Sequence, residues 1–76
     1  MNESHTLIQT YLRRKYFIST IFRRASTPQE IWYYETIVWE WDNETKERGA
    51  ILDSMDSGRT ETLAIINHAE LYNKYL

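Results

Sequence analysis

The residues best able to do acid–base chemistry near neutral pH are the two histidines, His5 and His68. To act as a base, His68 would need an acid or a nucleophile within reach. Glu61 and Glu70 do not stand three or four positions from it, and no His-x-x-x-His or His-Glu-x-x-His spacing offers a zinc site. A histidine on a helix face, packing its ring or capping a neighbour, accounts for His68. Glu35 is the odd carboxylate, because it interrupts the apolar run Ile31–Trp41. It either faces water or is partly buried and paired with an arginine, and nothing sets the separation that a catalytic carboxylate pair requires. Asp53-x-x-Asp56-x-Gly58 invites a calcium reading, but Met55 occupies the third position, where an oxygen ligand is needed. Ser57-Gly58-Arg59-Thr60 suits an anion at a helix N-terminus, and helix capping explains it as well. The sequence therefore assigns no catalytic residue, no metal ligand and no cofactor, and an enzyme is not expected.

Composition narrows the class further. The chain has 76 residues, a 42% hydrophobic fraction, two Gly and one Pro, which is the balance of one folded domain spanning residues 1–76. Zero cysteine excludes a disulfide scaffold, a thiolate metal site and a cysteine nucleophile. The longest uncharged stretch is far below the roughly 20 apolar residues of a membrane span, and residues 1–16 lack the apolar region of an export signal. A soluble cytoplasmic protein with no membrane partner is the expectation. Asn2-Glu3-Ser4 and Asn43-Glu44-Thr45 match the glycosylation triplet, which has no meaning without export.

The elements follow from pattern. Ser4-His5-Thr6 offers capping oxygens, and Leu7, Ile8, Tyr11 and Leu12 form one helical stripe ending near Arg13-Arg14, so a short N-terminal helix is predicted. Tyr16–Phe22 is β-branched and aromatic, which favours a strand. The spacing of Leu7, Tyr11, Ile18 and Ile21 leaves continuation of the first helix open over residues 15–24. Residues 25–30, around Pro28, form a break. Ile31–Trp41 is the strongest strand, Asp42–Thr45 a turn, and Lys46–Asp53 the returning strand, in which Gly49 suggests a bulge or close approach. Asp53–Gly58 reads as a loop, and Thr60 caps a helix running to about Tyr75, with Leu63, Ile66 and Tyr72 expected on the sheet. The predicted fold is α+β, a three-stranded antiparallel sheet with a short N-terminal and a longer C-terminal helix (α-β-β-β-α).

Glu35-Thr36-Ile37-Val38-Trp39, followed after a hairpin by Thr60-x-x-x-Ala64-x-x-x-His68, resembles a pattern in small bacterial and phage proteins. Those carry a Glu-Thr-Met-Val-Phe-like strand and a C-terminal Thr-x-x-x-Ala-x-x-x-His helix; Ile37 and Trp39 depart from it conservatively. The resemblance implies the hairpin-then-helix order, a prokaryotic or viral cytoplasmic setting, and an accessory or inhibitory role, without implying an activity.

Two surface features bear on function. Residues 1–27 carry Arg13, Arg14, Lys15, Arg23 and Arg24 against Glu3, a balance of +4, while residues 28–76 carry −6. The basic segment either contacts phosphates or neutralises the acidic hairpin beside it. The net charge of −2 speaks for the second. In Ile31–Trp41, alternation puts Tyr33, Ile37, Trp39 and Trp41 on one face and Trp32, Tyr34 and Val38 on the other, so both faces are apolar. Either one helix packs on each face, or one face is covered by a partner. The expected function is non-enzymatic protein binding, to itself as a homo-oligomer or to a larger target, through Trp32, Tyr34, Trp39 and Trp41. The alternative is a nucleic-acid-binding module using Arg13, Arg14, Lys15, Arg23 and Arg24.

Overall fold

In the computed structural model, which describes residues 4–25, 28–29 and 31–76, the segment read as an N-terminal helix is a strand. The order is β1 (Ser4–Leu12), β2 (Tyr16–Arg24), β3 (Trp32–Asp42), β4 (Glu47–Asp56) and α1 (Glu61–Tyr75), and the four strands form one antiparallel sheet in sequence order. The fold is thus β-β-β-β-α, with four strands where three were expected.

The correction has a local cause. The Leu7-Ile8 doublet is a β-bulge, marked by the register shift between Thr6 and Ile8, and the Tyr11-Leu12 doublet divides between the two sheet faces. Leu12 is buried at 5% exposure, whereas Tyr11 is 58% exposed. Arg13 and Arg14 do not end a helix. Both have left-handed φ, 55° and 57°, and the Lys15 amide donates to the Leu12 carbonyl at 3.1 Å. Two such residues in succession make the mirror-image turn that matches strand twist, a turn normally carried by Asn-Gly. Residues 15–24, left open as strand or helix, are strand from Tyr16 onward.

The other hairpin follows its sequence signals. Asp42 accepts from the Glu44 and Thr45 amides, closing the turn before β4. Gly49 lies in a β-bulge, where the pairing shifts between Trp39 and Trp41. A Cβ there would meet Glu40 Oε2 at 2.8 Å and Glu40 Cβ at 3.1 Å, so any larger residue requires the Glu40 side chain to move aside. The returning strand runs to Asp56, three residues past the expected start of the loop. Ser26, Thr27 and Glu30, within the break read around Pro28, lie outside the described residues, as do Asn2 and Glu3.

Helix α1 packs on one sheet face, over β2 and β3. Leu12, Ile18, Val38 and Leu71 form the core, with Tyr16, Met55, Tyr72 and Tyr75 packed around it. Thr60 occupies the N-cap position, though its side chain makes no capping bond. The expected inward face of α1 is corrected: Ala64, Asn67, His68 and Leu71 are buried, while Leu63 and Ile66 are 44% and 48% exposed. Tyr72 does pack at the core. Lys74 donates to Asp53 at 2.6 Å and the Tyr75 hydroxyl donates to the same oxygen at 3.2 Å, pinning the end of α1 to β4. The Lys74 contact holds the Asp53 carboxyl below its usual range. Leu71→Ala is expected to cost roughly 2–5 kcal/mol of unfolding free energy in a urea titration. Ile66→Ala should cost less than about 1 kcal/mol, because half of that side chain is already in water.

Candidate functional site

Two arrangements could serve a function, and they lie on opposite faces of the sheet. The first is polar and closed. Thr10, Thr20 and Thr36 occupy the helix-facing positions of β1, β2 and β3, where alternation aims every second side chain at α1. His68 descends between them. Its Nδ1 is 2.7 Å from Thr20 Oγ1 and its Nε2 2.9 Å from Thr10 Oγ1, while Thr20 and Thr36 share a hydrogen bond of 2.6 Å. Beside it, Asn67 Nδ2 donates to Ser57 Oγ at 2.8 Å.

A hydroxyl next to an imidazole has the makings of a base-activated nucleophile. Access decides against it: Thr20 and Thr36 are fully buried and His68 is 5% exposed. Burial pushes the His68 pKa below the ordinary 6.5, keeping the ring neutral with one nitrogen donating and the other accepting. The group is a structural polar centre.

The second arrangement is apolar and open. Tyr11, Phe17, Trp39 and Trp41 are neighbours in register on the face opposite α1. Tyr11 stacks on Phe17 at 4.8 Å and meets Trp41 edge-on at 4.9 Å, and Phe17 and Trp41 lie 5.8 Å apart. Phe17 is 5% exposed although no described element covers this face, because the rings around it do so. Ile51, opposite Trp39 on β4, is 56% exposed. The Arg48 guanidinium lies over the Trp39 ring at 4.6 Å. Further along the face, Arg23 and Glu35 pair at 3.0 Å, the arginine partner that the position of Glu35 suggested.

The four aromatic candidates are divided. Trp39 and Trp41 lie on the open face, whereas Trp32 and Tyr34 lie on the helix side, packed with Phe22 at 5.2 and 4.6 Å. Trp32 also stacks on His5 at 5.9 Å. The five basic candidates are divided too. Arg13, Arg14 and Lys15 are exposed in the β1–β2 turn, and Arg23 and Arg24 end the same strand at its far side. Sequence reasoning overlooked Tyr11, because it was placed on a helix, and Arg48, whose stacking partner is set by strand register. Among the described residues no group of His, Asp and Glu side chains is arranged to hold a metal, and no helix is long and apolar enough to cross a membrane.

Comparison of the chain with protein-family models, curated proteins and solved structures finds no match in any of the three.

The polar centre makes stability depend on pH with a definite sign. Above about pH 6.5 His68 is neutral in both folded and unfolded chains. Below it the unfolded chain takes up a proton that the folded protein refuses, so stability falls with pH until the lowered native pKa is reached. Melting curves between pH 7.5 and 5 should show this loss, and His68→Gln should flatten that part of the profile. An unchanged profile would remove His68 from the account.

Proposed function

We propose that this chain is a small non-enzymatic binding domain that associates with a second copy of itself through the open face of its sheet. The observation that carries this reading is the aromatic surface of Tyr11, Trp39 and Trp41, flanked by Ile51, on a face that no described element covers. In the bacterial or phage setting that the resemblance implies, such a domain would act as an accessory or inhibitory factor.

Size and charge support a second copy as the occupant. The two longer dimensions of the molecule, 40 and 27 Å, bound the face at roughly 1,000 Å², against about 800 Å² per partner in a standard interface. Arg48 stands near one end of the face and Asp56, opposite Glu35, at the other, while Arg23 and Glu35 neutralise each other. A two-fold axis in the interface, perpendicular to the strands, sets Arg48 of each copy against Asp56 of the other. Nucleic acid is less well supported, because the basic residues do not form one patch. Arg13–Lys15 and Arg23–Arg24 lie at opposite ends of β2, about 25 Å apart at the usual strand rise.

Size-exclusion chromatography with light scattering from about 1 to 100 µM, a range around typical weak-dimer affinities, should give a dimer mass at the upper end. Trp41→Ala should weaken association about thirtyfold or more. Trp32→Ala, on the helix side, should leave it unchanged. A monomeric mass throughout overturns the reading, and a gel shift with single strands at low salt would replace it with the nucleic-acid one.

A further inference from the structure

Trp39 lies on the open face, opposite Phe17 on β2 and Ile51 on β4. Its indole Nε1 is buried, and among the described residues it is the one buried side-chain polar atom without a hydrogen-bond partner. The contrast with the other side of the sheet is sharp, since His68, Thr20, Thr36 and Asn67 are all bonded there. An orphaned donor costs free energy in the isolated domain, and phenylalanine, though smaller, would carry no such donor. The side chain stacked on the ring is Arg48, which is exposed and on the edge strand.

We infer that Trp39 is the specificity-determining donor of the association surface and that Arg48 is the displaceable cover of its ring face. When two copies meet, Arg48 leaves the ring for Asp56 of the second copy, and the indole, shifting into the contact, donates its N–H to an oxygen of that copy. Alone, each domain leaves this donor unsatisfied, and the complex satisfies both. A partner without an acceptor at that point leaves the donor orphaned, which is how one buried polar group discriminates. This inference rests on the self-association reading.

The test uses the full chain with ¹⁵N-labelled tryptophan. Between dilute and concentrated samples the Trp39 indole N–H resonance should move downfield, while that of Trp32, on the helix side, stays in place. Trp39→Phe should melt at the same or a higher temperature when dilute, yet associate about tenfold more weakly. An affinity within about twofold of the original, or a Trp39 resonance that does not move as dimer forms, overturns the inference and leaves self-association standing. If Trp39→Phe fails to fold, the resonance in the unaltered chain decides. A chain monomeric at every concentration overturns both.

Discussion

The bridge between His68 and the threonines of the sheet is the constraint on which the remaining structure depends. Both ring nitrogens are engaged, by Thr10 on β1 and Thr20 on β2, and Thr20 passes the connection to Thr36 on β3. One side chain thus ties the helix to three strands, and Thr20 and Thr36 are fully buried. A neutral imidazole and rotatable hydroxyls can satisfy one another completely, which makes burying them affordable. Removing any one member would strand its partner at a cost of about 1–3 kcal/mol. That penalty fixes the rotation of α1 about its axis, and so decides which of its residues meet the sheet.

The exposure of Leu63, Ile65 and Ile66 follows. Aimed by His68, α1 presents Ala64, Asn67 and Leu71 inward, and the larger aliphatic side chains are turned to the flanks and outward. The apolar cluster beneath the helix is small among the described residues, formed by Leu12, Ile18, Val38 and Leu71 with tyrosines and Met55 at its margin. The molecule is correspondingly thin, 17 Å in its shortest dimension. With one helical layer, the second sheet face must manage its own apolar surface. It does so by crowding rings, so that Phe17 is removed from water by Tyr11 and Trp41. Those outer rings stay partly in solvent, and the open aromatic surface is a direct consequence of having one helix for two faces.

Turn chemistry explains why the N-terminal half was the harder one to read. An Asn-Gly at residues 13–14 would have announced a hairpin, and the preceding residues would then have been read as a strand. Arg13-Arg14 adopts the same left-handed geometry against its preference, at about 1 kcal/mol or more per residue. The strand-to-strand pairing on either side imposes it. The bulge at Leu7 added a second disguise, since it interrupts the two-residue period and produces a doublet with helical spacing. In the C-terminal half the signals were conventional: the Asp42–Thr45 turn, the glycine at a close approach, and Thr60 just before the helix. There the element boundaries agree with the sequence to within a few residues, although the inward face of α1 does not.

What the sequence by itself determined is therefore local. Alternation along Ile31–Trp41 assigns its residues to two faces, Gly49 marks a bulge, and the absence of cysteine and of metal-ligand spacing limits the chemistry. These depend on neighbours within one strand or one hairpin, where composition and period act directly. What only the tertiary structure decided is which face α1 covers, and hence which tryptophans remain available. Trp32 and Trp39 belong to the same apolar run, and in the sequence they differ only in which of the two alternating faces they occupy. They differ because hydrogen bonds from residue 68 to residues 10 and 20, far apart along the chain, hold the helix on the side of Trp32 and leave the side of Trp39 open.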